Sequence, residues 1–254
     1  MSGRLQGRRA LVYGGGTGLG YACAAAMVAE GAAVFLSGRR RERLAQAVET
    51  LSATGGAGYE AGDATLEPDV RRVTQAAVQF LGGLDTMVIS AGASGITPIL
   101  SASLEEFRAI CDANLTSTFL ACRYGAPHMV ANGNGSIIAI SSIFGLVGEA
   151  ERVGYCASKH GVIGLVRAAA LDLAPKGVRI NALCPGFVET ELAREIASRA
   201  PDPEAALNKR RNMHPIPRSG LAEEIAEAAV YLASDRAAWT TGQAVAIDGG
   251  YTAR

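Results

Sequence analysis

Short apolar runs alternate with longer amphipathic stretches along the chain. The runs Ala10–Gly14, Ala33–Ser37, Thr86–Ser90, Ser136–Ser141, Arg179–Cys184 and Ala244–Ile247 predict strands, with a weaker one expected near Gly58–Ala61. Helical periodicity predicts helices over Gly18–Glu30, Arg41–Ser52, Pro68–Leu81, Leu104–Val130, Tyr155–Ala174 and Ala222–Leu232. Strands that are apolar on both faces and separated by helices form a parallel sheet covered on both sides. Right-handed crossovers then lead to an α/β, doubly wound fold of about seven strands. No Pro/Ser-rich linker, repeat or low-complexity tract divides the chain, so residues 1–254 are read as a single domain. The segment Glu191–Arg218 breaks the rhythm, being polar and carrying Pro201, Pro203, Pro215 and Pro217. A long insertion after a strand's carboxyl end predicts a substrate lid over residues 191–218. The competing reading is a solvated hairpin of short helices.

Composition narrows the partners. Of 254 residues, 49% are hydrophobic and 19% charged, with 24 charges of each sign. That balance describes a globular protein and gives no electrostatic case for nucleic acid or an anionic membrane. No apolar window approaches the length of a membrane span, and the run Ala10–Tyr13 after the basic Met1–Arg9 is too short for a signal peptide. The five cysteines contain no CxxC pair, and His128, His160 and His214 lack ligand spacing. We therefore expect no disulfide scaffold, no metal centre and a reducing, cytoplasmic setting. Glycine is in excess, at 31 residues, or about 12% against an average near 7%.

Part of that excess lies in Tyr13-Gly14-Gly15-Gly16-Thr17-Gly18-Leu19-Gly20, between the first predicted strand and the first predicted helix. Glycines there let the backbone turn sharply and bring N–H groups against a pyrophosphate at the helix N-terminus. The spacing is GxxxGxG, from Gly14, Gly18 and Gly20. In the strand–turn–helix context it points to dinucleotide binding; a ligand-free tight turn is the plain alternative. The second strand ends in Ser37-Gly38-Arg39-Arg40-Arg41 with no acid to take a ribose 2′-OH. Guanidinium groups suit a 2′-phosphate, so NADP is expected over NAD. The alternative is a basic first turn of an exposed helix.

Tyr155-Cys156-Ala157-Ser158-Lys159 begins another helical pattern. Residues at i and i+4 share a helix face, so the phenol and the ammonium can address one cleft. A phenol of pKa near 10 needs help to serve as an acid–base catalyst at neutral pH, and Lys159 is expected to lower it. Ser142 follows the strand pattern Ser136–Ser141 and is placed to bind a substrate oxygen. YxxxK alone also fits the start of a surface helix; the combination carries the reading.

At these residues the chain resembles the short-chain dehydrogenase/reductase family, over nearly its whole length. The resemblance rests on the Gly14–Gly20 loop, Asp63, Ala91-Gly92, Asn114, Ser142, Tyr155-x-x-x-Lys159, Asn181-Ala182-Leu183-Cys184-Pro185-Gly186, Thr190 and Thr241-Gly242-Gln243 with Asp248-Gly249-Gly250. It implies a Rossmann fold and a catalytic tetrad of Asn114, Ser142, Tyr155 and Lys159. It further implies cofactor contacts from Gly14, Thr17, Gly18, Leu19 and Gly20, from Arg39 and Arg40, and from Ser90, Ala91 and Gly92. Asp63 and Ala64 would border the adenine. Tyr155 and Lys159 would meet the nicotinamide end, Lys159 binding its ribose. Past the Pro185-Gly186 turn, Val188 and Thr190 would hold the carboxamide. Asn114 would anchor a proton-relaying water, and a homotetramer would pair through Leu104–Val130 and Tyr155–Ala174. Two positions depart from the family pattern. Tyr13 stands where the family usually has Thr, and Ile89-Ser90-Ala91-Gly92 replaces Asn-Asn-Ala-Gly. We expect Ser90 to supply part of the lost hydrogen bonding.

The reading is an oxidoreductase that moves a hydride between NADP (or NAD) and a small-molecule carbonyl or secondary alcohol, with Tyr155 as acid/base. Ser94–Ile96, Leu146–Val153, Phe187 and the lid would shape the substrate pocket. Glu149 and Arg152 favour a polar or hydroxylated substrate, unless both face solvent or a neighbouring subunit. A 3-oxoacyl-carrier-protein reductase is the leading specific alternative, and a non-catalytic nucleotide sensor is the other class kept open.

Overall fold

In the computed structural model, residues 3–53, 56–198 and 200–253 are described, without the side chains of Leu192 and Ile196. Met1 and Ser2 of the basic N-terminus, Arg199 of the expected lid, and Arg254 lie outside the described residues. Seven strands form one parallel sheet: β1 (Arg9–Tyr13), β2 (Ala33–Gly38), β3 (Ala57–Ala61), β4 (Thr86–Ile89), β5 (Gly135–Ile140), β6 (Val178–Pro185) and β7 (Ala244–Ile247). The order is β3-β2-β1-β4-β5-β6-β7, every neighbouring pair parallel. The expected doubly wound α/β Rossmann architecture is present.

Nine α-helices accompany the sheet among the described residues: α1 (Gly18–Ala29), α2 (Arg41–Ser52), α3 (Glu67–Leu81), α4 (Leu104–Cys111), α5 (Ser117–Ala131), α6 (Val153–Leu173), α7 (Glu191–Ala197), α8 (Pro203–Arg211) and α9 (Ala222–Ala233). Alternation along each strand sends residues to two cores. Ala10 and Val12 of β1 join Val88 of β4 and Ile138 of β5 beneath α1, α2 and α9. Leu11, Tyr13, Met87 and Ile137 pack on the opposite face against α3, α5 and α6. Burial on both faces is why these strands read as continuous apolar runs. β3 is an edge strand with one buried residue of five, which accounts for its weak signal.

The predicted continuous helix Leu104–Val130 is interrupted. A π-helical turn, Asp112–Thr116, joins α4 to α5 and carries Asn114. Three consecutive hydroxyls bond back into the turn. Thr116 Oγ1 donates to Asp112 Oδ1 at 2.9 Å, Ser117 Oγ to the Ala113 carbonyl at 2.7 Å, and Thr118 Oγ1 to the Asn114 carbonyl at 2.7 Å. The back-bonding of Ser117 and Thr118 to carbonyls competes with the regular i→i−4 ladder. The segment Glu191–Arg218 folds as the short helices α7 and α8. No helix among the described residues is long and apolar enough to cross a membrane.

Candidate active site

Strand order reverses between β1 and β4, and a cavity of about 790 Å³ opens at the carboxyl ends of the strands there. This is the crevice where open α/β sheets bind ligands. At one end, Gly14 and Gly18 adopt left-handed backbone, φ 76° and 57°. A Cβ on Gly14 would lie 2.7 Å from the Ala91 nitrogen, so only glycine lets the loop pass so close to the end of β4. Thr17 makes no side-chain cap and the first turn of α1 holds no acid, leaving the positive helix end open to the cavity.

Gly14, Thr17, Gly18, Leu19, Arg39, Arg40, Asp63, Ala64, Ser90, Ala91, Gly92, Pro185, Gly186, Val188 and Thr190 all line this cavity, together with Asn114, Ser142, Tyr155 and Lys159. Gly20, expected among the cofactor contacts, does not. A Cβ there would lie 2.2 Å from the Gly14 carbonyl oxygen, so Gly20 serves the close packing of helix against turn. Arg40 Nη2 donates to Thr17 Oγ1 at 3.3 Å, and among the described residues neither Arg39 nor Arg40 is ion-paired. Their neighbours differ: Arg41 faces Glu60 at 3.8 Å and Arg43 pairs with Glu191 at 2.9 Å. Two uncommitted cations, an open helix end and a glycine cradle fit a phosphorylated dinucleotide.

At the other end, the start of α6 presents Tyr155 and Lys159 on one face. Ser142 caps the short turn Ile143–Gly145, its Oγ accepting from Phe144 N at 3.2 Å, and it lines the cavity together with Tyr155. Lys159, 6% exposed, donates from Nζ to the Ile140 carbonyl at 2.9 Å. Burial drops its pKa from 10.5 to about 8. Lys159 is not among the groups that hold the Tyr155 pKa down here. Burial raises the phenol, and the groups that oppose this are Ser142 and Arg152. The ammonium sits 5.7 Å from the ring centroid and is directed at Ile140 instead.

The Asn114 amide is bonded to two neighbouring segments of the chain. Its Oδ1 accepts from Ala93 N at 2.9 Å, and Nδ2 donates to Ala93 O at 2.9 Å and Ser158 Oγ at 3.0 Å. The amide thus clamps the loop after β4 to α6, and Ser158 passes the constraint to the Tyr155 carbonyl at 2.8 Å. The Tyr13 hydroxyl turns away from the cavity into α3, sharing a 2.8 Å hydrogen bond with Thr74 Oγ1. Ser90 Oγ makes no hydrogen bond to the protein among the described residues, and Asn114 holds the loop that follows.

The expected pocket positions Phe187, Arg152 and the lid do line the cavity, and Tyr251, which carries no local signal in the sequence, joins them. Phe187 N donates to His214 Nε2 at 3.0 Å while His214 Nδ1 donates to the Arg210 carbonyl at 3.1 Å, tying the end of α8 to the turn after β6. Phe144, Tyr251 and His214 form an aromatic wall reaching to Tyr155, with centroid separations of 5.3–6.4 Å. Arg152 reaches into the cavity and donates to Ser94 Oγ at 2.8 Å.

The chain is similar to known proteins over almost its whole length. A family model described as enoyl-(acyl carrier protein) reductase matches residues 14–252. The cyclohexanol dehydrogenase of Acinetobacter sp. (strain SE19) is 36% identical, covering 100% of this chain and 98% of its own. The 3-oxoacyl-[acyl-carrier-protein] reductase of Thermotoga maritima is 33% identical over 97% of this chain and 98% of its own. A crystal structure of a variant actinorhodin polyketide ketoreductase with NADPH superposes with a TM-score of 0.93 at 30% identity, covering 99% of each chain. These matches define the class as an oxidoreductase acting on CH–OH and C=O groups. The chain belongs to the short-chain dehydrogenase/reductase family.

Proposed function

We propose that the protein catalyses reversible hydride transfer between NADP(H) and a secondary alcohol or ketone, with Tyr155 as general acid/base. One observation carries the reading: the Ser142–Tyr155 hydroxyl pair and the buried Lys159 open into the same cavity as the glycine loop and Arg39–Arg40. When bound, a nicotinamide dinucleotide supplies or accepts the hydride at the substrate carbon. In reduction, Ser142 donates a hydrogen bond to the carbonyl oxygen and Tyr155 delivers the proton to it. Lys159 lies behind the phenol with one of its three donors used by Ile140, leaving N–H groups for the cofactor's ribose. Asn114 holds the loop Ala91–Ala93 and the first turns of α6 in register, a positioning role. Arg39 and Arg40 select the 2′-phosphate.

The helices α7 and α8 contribute Ala193, Ala206, Leu207 and Arg210 to the cavity wall, and Met213 joins them from the turn after α8, in keeping with a lid over residues 191–218 of a single domain. Exposed Leu104, Phe119 and Leu171 on α4, α5 and α6 suit pairing of these helices in a homotetramer. The reading is tested by initial rates of NADPH and NADH oxidation with cyclic ketones, sugars and 3-oxoacyl thioesters. Ketone-dependent oxidation with NADPH favoured at least tenfold is expected. Cofactor binding without turnover of any carbonyl would instead mark a nucleotide sensor.

A further inference from the structure

The substrate end of the cavity carries charge that the hydride chemistry does not use. Arg152, at the start of α6, is half-buried, and it donates to a neutral hydroxyl, Ser94 Oγ, at 2.8 Å. Among the described residues no carboxylate forms an ion pair with it. A second guanidinium, Arg210 of α8, lies close enough to disfavour the Arg152 charge. The carboxylate nearby, Glu149, is engaged with Arg210 at 3.2 Å. Two cations therefore share one anion beside Tyr155, whose phenol feels the Arg152 charge. Glu149 favours the Arg152 charge but is shared with Arg210, so the half-buried guanidinium is only partly compensated, and its fork of donors matches a carboxylate or similar oxyanion.

The backbone holds Arg152 in this position. Thr97 N donates to the Glu151 carbonyl at 2.7 Å, and Val153 N and Gly154 N donate to Thr97 O and Oγ1 at 3.2 and 3.0 Å. Glu151, between the exposed loop and Arg152, has φ 61°, the one non-glycine residue with positive φ among those described. Left-handed backbone at a side-chain-bearing residue persists where its surroundings over-determine it, often beside a ligand.

We infer that Arg152, backed by Arg210, forms an oxyanion subsite, and that the substrate is a carbonyl or alcohol compound carrying a carboxylate or comparable anionic group near the reacting carbon. This rests on the hydride-transfer reading above and names its substrate class.

The test uses matched pairs, acetoacetate with methyl acetoacetate and levulinate with methyl levulinate. They are assayed with NADPH on the wild type, Arg152→Gln, Arg152→Lys and Glu149→Gln. In the wild type the better acid should exceed its ester in kcat/KM by about tenfold or more, the scale of one charge-assisted contact. Arg152→Gln should bring the ratio to about one and Arg152→Lys should restore part of it, since a single cation replaces the fork. Glu149→Gln, which removes the competing carboxylate, should raise the ratio, and it keeps the test decisive if Arg152→Gln fails to fold. Saturation-transfer NMR of levulinate on the NADP-loaded protein should give a signal that Arg152→Gln abolishes. Turnover of esters with no preference for either acid, or an acid preference untouched in folded Arg152→Gln, overturns the inference and leaves the hydride reading standing. No turnover of any carbonyl overturns the hydride reading, and the NMR signal then decides the subsite alone: its loss in Arg152→Gln supports the subsite, and its absence in the wild type overturns it.

Discussion

Replacing Lys159 by methionine separates the buried ammonium from the rest of the protein's pH response. In the folded chain its pKa falls from 10.5 to about 8 through burial. A depression of that size corresponds to ~3 kcal/mol against the charged folded form. Below the folded value both states hold the proton, and folding bears the full cost of burying it. Between about 8 and 10.5 the unfolded chain holds more protons than the folded one, so stability rises with pH. Integrating that difference gives roughly 1 kcal/mol of gain from pH 7 to pH 9. Buried thiols act oppositely at higher pH. Cys23 and Cys122 are pushed up from 9.0 to about 12 and Cys184 to about 11, so their unfolded forms ionise first and stability falls above pH 9. Both proteins share these thiols, so the difference between them isolates the lysine. Urea unfolding of the cofactor-free protein at pH 7, 8 and 9 gives the two curves. Near pH 7 Lys159→Met should be the more stable by ~2 kcal/mol, after about 1 kcal/mol is deducted for the lost Ile140 hydrogen bond. That margin should shrink by roughly 1 kcal/mol toward pH 9. Curves that stay parallel across this range would refute the reasoning.

Other perturbations test the remaining parts. Arg39→Ala and Arg40→Ala should each raise the KM for NADPH about tenfold or more while leaving NADH little changed, measured by steady-state kinetics with both cofactors. Gly20→Ala sets a Cβ 2.2 Å from the Gly14 carbonyl oxygen, so α1 must shift against the loop; a loss of ~2 kcal/mol or more is expected in urea unfolding, with weaker cofactor binding. Asn114→Ala strips both polar groups of Ala93 of their partner and should cost ~2–4 kcal/mol in the same assay, with lower kcat.

Much of the fold was legible because sheet burial writes itself as apolar runs. β7 matches its predicted bounds, and the ends of β1 and β6 move by a residue. The π turn was not legible. Leu104–Val130 keeps a helical pattern throughout, and the interruption comes from the hydroxyls of Ser117 and Thr118, which suit a regular helix equally well. Tyr155 and Lys159 were legible as a local i,i+4 pair on α6. Arg152 and Arg210 were not legible as a pair, since α8 must fold back over the cavity before the two guanidiniums converge. The protonation landscape was the least legible part. Spacing puts Lys159 beside Tyr155, but only burial decides that the lysine's own pKa falls while the phenol's rises.

The central claim is that the Tyr155 hydroxyl moves the proton during hydride transfer. Single-turnover oxidation of bound NADPH by the best ketone, compared between the wild type and Tyr155→Phe, measures it most directly. NADPH fluorescence titration on the same samples reports cofactor binding. The account predicts that Tyr155→Phe slows the chemical step about a thousandfold while cofactor affinity changes less than about threefold. A Tyr155→Phe protein that turns over within about tenfold of the wild type, with the same cofactor affinity, would contradict it.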